Sequence, residues 1–386
     1  MRRLVGELVF VVFVAMTIGL GSYPERANAA PGSDGSAAIR LGMSLPLSGP
    51  VAAYGKALRE GALACFARVN AEGGIHGRKI EVVSLDDGYE TERMLANTRR
   101  LINEEKVLSL VGFFGSPGTV EAMQALRTAG IPLIGLSTGT SSLHLQPGRY
   151  AFSTRASVEK EVAVIIDHAV PLAVTKIGVV YQDDSFGRAG LDGFVEAMKR
   201  HRLSAVASVG FDPAKGVTPD IIKQVADAAP QLVLVLATHK PAAAAIRALK
   251  KINAAMQFAT VSLVGADLLV AELGAAAAKG VIISQVTPYP WNDTVKVTGD
   301  YLRAIKALNP EAQPSYYGLE GYIAARITIE ALRRSGANPA PDDLVTALEQ
   351  APIDLGGYFV AYRPGVRQGS QFVDITILNS QGRILR

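Results

Sequence analysis

Short apolar runs alternate with segments of helical period along most of this chain. Ile39 to Leu45, Lys79 to Leu85, Val107 to Phe114 and Ile131 to Leu136 are short and continuously apolar enough to predict buried parallel strands. Helices are expected between them, at Gly55 to Asn70, Thr91 to Glu104 and Val120 to Thr128. Gly73 and Gly74 stop the first helix, because glycine takes positive φ without steric penalty. The rhythm restarts after Tyr150. Strands are predicted at Lys176 to Tyr181, Leu203 to Phe211, Leu232 to Ala237, Thr260 to Val264 and Val281 to Gln285. Helices are predicted at Val158 to Val170, Phe186 to His201, Thr218 to Ala228, Pro241 to Lys251 and Leu268 to Ala277. Strict β-α alternation in two stretches predicts an α/β protein with two doubly wound lobes. Thr287-Pro288-Tyr289-Pro290-Trp291 breaks the pattern with stiff, extended residues, as a crossover between lobes would, and Trp291 reads as a packed hinge residue. Two long helices, Val295 to Leu308 and Tyr317 to Arg334, follow. Two antiparallel strands, Tyr358 to Tyr362 and Phe372 to Leu378, are expected to end the chain, with Gln368-Gly369-Ser370 between them.

Within this pattern residues 107–142 stand out. Two buried strands one β-α-β unit apart each open into a turn of Gly, Ser and Thr, namely Gly115-Ser116-Pro117-Gly118-Thr119 and Ser137-Thr138-Gly139-Thr140. Such turns present free backbone N–H groups and, where a helix follows, the positive end of its dipole. Two of them at neighbouring strand ends predict a rim that binds a carboxylate. Simpler readings stand beside this one. Ser116 and Thr119 would equally serve as caps for a helix starting at Val120, and Asp86 and Asp87 as turn formers.

Composition narrows the class. At 386 residues, 49% hydrophobic and 19% charged, the chain is long enough for two domains with substantial cores. The net charge of +4 is spread thinly and no basic run points to nucleic acid. Residues 1–29 read as a signal peptide, with Arg2 and Arg3, the apolar stretch Leu8 to Leu20, and Ala27-Asn28-Ala29 before a cut at Ala30. Glu7 and Pro24 shorten that stretch below the ~20 apolar residues of a membrane span. Cys65 is the one cysteine, so no disulfide forms within the chain and no lipid-anchor cysteine follows the cut. An exported, soluble periplasmic protein is the expectation.

Catalytic motifs are missing. A nucleophile elbow needs Gly two places before the Ser, where Phe114 stands before Ser116, and Pro117 removes the N–H expected just after it. The histidines at 76, 144, 168, 201 and 239 have no metal-ligand spacing. With no P-loop and no Gly-x-Gly-x-x-Gly turn, neither an enzyme nor a cofactor is called for.

The chain resembles the leucine/isoleucine/valine-binding-protein-like solute-binding proteins of ABC importers, whose fold is the type I periplasmic binding fold. The resemblance rests on Pro46-Leu47-Ser48-Gly49-Pro50 with Tyr54-Gly55, on Asp86-Asp87, on Val111-Gly112 through Thr119, and on Tyr181 through Gly187. Its most specific part is Asn70-Ala71-Glu72-Gly73-Gly74-Ile75-His76-Gly77. It implies two Rossmann-like lobes joined by a three-crossover hinge, with lobe 1 at 38–154 plus 289–357 and lobe 2 at 155–288 plus 358–386. It also implies a small-molecule ligand, a branched-chain or other amino acid or a related organic acid or amide. The lobes would close on it and deliver it, as a monomer, to an ABC permease. The same fold also serves as an amide or amino-acid sensor. The resemblance implies ligand contacts from Tyr54, Ser116 and the Ser137, Thr138, Gly139 turn in lobe 1. From lobe 2 it implies Phe186 and Thr238 or His239. Two departures stand out. Where amino-acid binders carry a second-lobe acid for the ammonium, this chain has Ser262 and Leu263, leaving Asp267, Asp183 or Asp184 as substitutes or a ligand without an ammonium. Where some members have a cysteine pair, it has Tyr89 and Gly115.

Overall fold

The computed structural model describes residues 37–140, 143 and 148–385. The signal-peptide reading at 1–29, with Ser141, Ser142 and His144, lies outside the described residues. The alternation of strands and helices builds two sheets. In the first, β1 (Ile39–Leu45), β2 (Ile80–Asp86), β3 (Ser109–Val111), β4 (Leu133–Ile134) and β5 (Ala151–Phe152) lie in the order β2-β1-β3-β4-β5, all parallel. Their connections carry helices α1 (Ala52–Ala71), α2 (Thr91–Asn103) and α3 (Ser116–Ala129).

The second sheet begins after α4 (Val158–Ala169). It holds β6 (Ile177–Gln182), β7 (Ala207–Phe211), β8 (Leu232–Leu236), β9 (Gln257–Thr260) and β10 (Ile282–Gln285), all parallel. Helices α5 (Ser185–Arg200), α6 (Pro219–Asp227), α7 (His239–Ile252), α8 (Ala266–Leu273) and α9 (Ala275–Ala278) connect them. The chain then leaves this sheet for α10 (Lys296–Leu308), α11 (Tyr316–Arg334) and α12 (Pro341–Gln350), followed by the small ladder of β11 (Ile353–Asp354) and β12 (Phe359–Val360). It returns through β13 (Asp374–Leu378) and β14 (Ile384–Leu385), which extend the second sheet antiparallel in the order β14-β13-β10-β9-β8-β6-β7.

The excursion to α10–α12 puts two helices against the first lobe. α1 and α11 meet backbone to backbone, because a Cβ on Gly61 would lie 1.8 Å from the Gly318 carbonyl oxygen and one on Gly321 would lie 2.0 Å from that of Leu58. Any side chain there would force the helices apart. The three passages between sheets are stitched together. The Ser153 N–H donates to the Arg367 carbonyl at 2.9 Å, and the Tyr358 hydroxyl lies 2.6 Å from the Thr154 carbonyl and 3.0 Å from that of Val286. One buried phenol thus touches the first two passages from the start of the third.

Several expected elements differ. The first turn of α3 starts at Ser116 rather than Val120, because Gly115 takes φ +95° and Pro117 suits the first turn of a helix. The strand expected at Thr260 to Val264 runs instead from Gln257 to Thr260, and Ser262–Val264 form a 3₁₀ turn that closes on Gly265 at φ +69°. The helix expected from Leu268 to Ala277 breaks at Gly274, whose φ of +84° no helix accommodates. The two terminal strands do not pair with each other. β12 pairs with β11, and β13 joins β10, burying its Thr376 and Leu378. Helix α12 has no counterpart in the expected elements.

Candidate functional site

The Ser116 hydroxyl does not cap α3. It hydrogen-bonds Thr138 Oγ1 and accepts from Thr140 Oγ1 at 2.5 Å, and all three residues are buried. Thr119, the other capping candidate, donates back to the Gly115 carbonyl at 2.6 Å. The extension of β3 and β4 beyond their ladders makes this convergence possible, since Phe114 bridges Ser137 in parallel register. Three hydroxyls therefore gather in the first turn of α3, facing the strand end of β4. Thr140 Oγ1 also lies 3.5 Å from the carbonyl of Ser185, the first residue of α5 in the second lobe. Gly139 abuts the same lobe, since its carbonyl accepts the Val158 N–H at 2.8 Å and a Cβ would lie 2.9 Å from that nitrogen.

Tyr54 joins the lobes more fully. Its ring stacks on Phe114 at 5.1 Å and meets Tyr317 and His239 edge-on at 4.7 and 5.4 Å. Its hydroxyl lies 2.7 Å from His239 Nδ1 and 2.7 Å from the Val264 carbonyl. A carbonyl only accepts, so the phenolic proton points to Val264 and the hydrogen-bond pattern assigns the imidazole proton to Nδ1. Burial holds the His239 pKa below the usual histidine value, so the ring is neutral, and burial likewise raises the phenol of Tyr54. Tyr317 makes the parallel contact, donating to the Leu263 carbonyl at 2.8 Å. The 262–264 turn of the second lobe is thus grasped by two phenols of the first. Phe186 is buried at the second position of α5, where its N–H donates to Asp184, and Thr238 presents its N–H to Gln182 Oε1 at 2.7 Å.

Of the three substitute acids, none hydrogen-bonds the hydroxyl cluster or the Tyr54 and His239 side chains among the described residues. Asp183 pairs with Arg188 at 2.7 Å on the surface, Asp184 caps α5 through the Phe186 and Gly187 N–H groups, and Asp267 is exposed. Asp86 and Asp87 act as turn formers. Asp86 accepts from the Leu47, Ser48 and Gly88 N–H groups and the Ser48 hydroxyl, and holds the 46–50 turn. Buried Asp87 takes the Ser44 hydroxyl and the Tyr89 N–H, both at 2.9 Å, and burial pushes its pKa up to about 6. Tyr89 and Gly115, flagged as a missing cysteine pair, do touch, for a Cβ on Gly115 would lie 2.5 Å from the Tyr89 ring. Trp291 is 36% exposed and packs between Tyr289 and Tyr316 at 4.9 and 5.8 Å.

Sequence reasoning missed the charged part of the junction. Arg155, in the first passage between sheets, is the largest fully buried side chain described. Its guanidinium donates to Glu161 of α4 at 3.0 Å, to Glu320 of α11 at 3.3 and 3.4 Å, and to Ser262 Oγ. Glu161 is further held by the Ser262 N–H at 2.8 Å and Ser284 Oγ at 2.7 Å. One guanidinium cannot neutralise two carboxylates. Burial accordingly raises the pKa of Glu320, with the Arg155 charge opposing it. Beside Glu320 sits Ser137, whose hydroxyl has no well-formed hydrogen bond among the described residues. The only signal in the sequence was the presence of ionisable residues at otherwise apolar positions, which spacing alone cannot pair.

Among the described residues no group of three or more metal-ligating side chains occurs, and no helix is long and apolar enough to cross a membrane. Comparison with known proteins agrees with this architecture. A Leu/Ile/Val-binding protein homologue of Brucella abortus (strain 2308), "homolog 8", is 24% identical over 353 residues, covering 86% of this chain and 84% of its own length. The crystal structure of a possible leucine/isoleucine/valine-binding protein from Rhodopirellula baltica superposes with a TM-score of 0.84 at 30% identity, covering 93% of this chain and 98% of that one. The branched-chain amino acid transporter substrate-binding protein LivJ of Streptococcus pneumoniae, solved with isoleucine, shares the fold at a TM-score of 0.79 and 19% identity, over 90% of this chain and 97% of its own. The family model for periplasmic binding proteins matches residues 38–383, so the chain belongs to the periplasmic binding protein family and is a solute-binding protein, not an enzyme.

Proposed function

We propose that this protein is exported to the periplasm, captures a small carboxylate-bearing solute by closing its two lobes, and hands it to the permease of an ABC importer. The observation that carries the reading is the cluster of Ser116, Thr138 and Thr140 hydroxyls in the first turn of α3, with Thr140 reaching Ser185 across the lobes. Hydroxyl donors beside a helix N-terminus complement a carboxylate, and a site spanning two lobes is completed by hinge motion. Tyr54, Ser137, Thr138, Gly139, Phe186, Thr238 and His239 complete the proposed cage. The moving bodies would be 38–154 plus 289–357 and 155–288 plus 358–386.

The surplus carboxylate at Glu320 favours a ligand that also carries an ammonium group. Ser137 lies beside that carboxylate and belongs to the same turn as Thr138 and Thr140, so one turn borders both the carboxylate and the hydroxyl cluster. The names of the Brucella and Rhodopirellula relatives put branched-chain amino acids first in any screen.

The test is calorimetric titration of the mature protein with amino acids, their deaminated acids and amides, on wild type and Ser116→Ala. Loss of a hydrogen bond to a charged group, worth ~1.5–3 kcal/mol, should weaken binding about tenfold to a hundredfold with little change in ligand-free melting temperature. Unchanged affinity in Ser116→Ala would remove the site, and no binding of any carboxylate would remove the ligand class.

A further inference from the structure

The face formed by α1, α10 and α11 carries two adjoining cavities of unlike character. One, of about 120 Å³, has an apolar floor of Cys65, Val69 and Ile329 and walls that include Arg68, Lys296, Arg326 and Arg333. The other, of about 500 Å³, is a trough between α1 and α10 lined by Ala64, Ala67 and Ala71 on one side and Ala304, Ala307 and Leu308 on the other. Arg68 borders both, and Arg303 borders the trough.

The cation cluster is organised around Asp300, whose side chain is 4% exposed. Lys296 and Arg303 each approach it to 2.6 Å, Arg326 to 3.4 Å and Arg68 to 3.5 Å. These contacts hold its pKa down at about 2, so the carboxylate is always charged, yet it cannot neutralise the group around it. The two cavities are lined by five cations against the carboxylates of Asp300 and Glu72, an excess of three positive charges in a protein whose whole formal charge is +4. Guanidinium groups converging on one hollow match the geometry of a phosphate or carboxylate head. The trough is mostly apolar and open, with Leu308 43% exposed, and Arg68 and Arg303 lie along its border. Positive charge alone would suit any small anion. Charge continuous with an alanine-lined trough suits an anion that carries a hydrocarbon chain.

We propose that this face binds an anionic phospholipid, the phosphate seated among Arg68, Arg326 and Arg333 and an acyl chain laid along the trough. The contact would hold the protein at a membrane surface with its cleft free, independently of which solute the cleft takes. It would be weak and salt-sensitive, since all the cations but Arg326 are well exposed and screened.

The experiment is vesicle flotation of the mature protein with phosphatidylglycerol in phosphatidylcholine, against phosphatidylcholine alone. Binding to the anionic vesicles at low ionic strength, lost near ~0.5 M salt, is the expected result. Arg326→Gln with Arg333→Gln should reduce vesicle affinity at least tenfold by removing the phosphate seat, and Ala67→Glu should reduce it by obstructing the trough. Ala67→Glu should keep the wild-type melting temperature, the arginine pair should lower it modestly because Arg326 helps hold Asp300, and all variants should keep wild-type solute affinity. Flotation unaffected by the arginine pair, or no flotation on either vesicle, overturns the proposal. Glycerol phosphate competing as effectively as the vesicles do would overturn the part assigned to the trough. Capture of an acidic helical peptide without vesicle binding would assign the face to a protein instead.

Discussion

Two buried polar clusters flank the turn at 137–140, and they are built on opposite principles. On one side Ser116, Thr138 and Thr140 are neutral hydroxyls, donors and acceptors at once, bonded to one another. Such a cluster satisfies itself when empty and can turn its protons outward to an anion at little cost. On the other side Arg155, Glu161 and Glu320 are charges drawn from the first interlobe passage, the second lobe and the first lobe. That cluster cannot rearrange without exposing an uncompensated ion. The first is adaptable and suits a ligand. The second is rigid and fixes how the lobes meet, and its surplus carboxylate, Glu320, is the place proposed above for a ligand's ammonium.

The sharpest way to break this contrast is Arg155→Met. Truncating one partner of a buried ion network leaves the others uncompensated, at roughly 3–5 kcal/mol. Urea unfolding should show a loss of that size, and Glu161→Gln with Glu320→Gln added to the same chain should recover much of it. A loss under ~1 kcal/mol would mean the network is wet and the lobes are joined by other means.

Asp87 sharpens the contrast from within the first lobe, because it is a buried acid with no basic partner in contact. A carboxyl whose folded pKa is about 6 instead of 3.8 binds its proton more tightly when folded. The unfolded chain therefore releases that proton first as pH rises, and stability from this group is full below the unfolded value and is lost between there and pH 6. The window corresponds to about 3 kcal/mol. Asp87→Asn should flatten that part of the stability-against-pH curve relative to wild type, and parallel curves would show the carboxyl to be hydrated.

How much of this was legible follows from the same contrast. The hydroxyl cluster lies in two local turns, and a Gly, Ser and Thr pattern at strand ends marks it from spacing alone. Its exact partners were not legible, because helix α3 starts at Ser116 only when Gly115 adopts a positive φ. The alternating lobes were legible because buried parallel strands are continuous apolar runs. Strand β13 was recognisable as a strand but not as a partner of β10, since antiparallel addition to a distant sheet leaves no local trace. The ion network joins residues up to 165 positions apart. No periodicity encodes that, and the acid sought near Ser262 is met there by the guanidinium of Arg155 instead.

The mildest test concerns Tyr54, where the two lobes touch without charge. Tyr54→Phe keeps the stack on Phe114 and removes the hydroxyl that meets both His239 Nδ1 and the Val264 carbonyl. Each lost hydrogen bond is worth ~0.5–1.5 kcal/mol net. His239 would also lose an acceptor in a place where burial already opposes its charged form. If these contacts stabilise the closed arrangement, the variant should open more readily. Small-angle scattering without ligand should then show a slightly larger radius of gyration, and solute affinity should fall by no more than about tenfold. Unchanged scattering and affinity would assign closure to the ion network and to Tyr317 instead, since Tyr317 grips the same 262–264 turn through the neighbouring carbonyl.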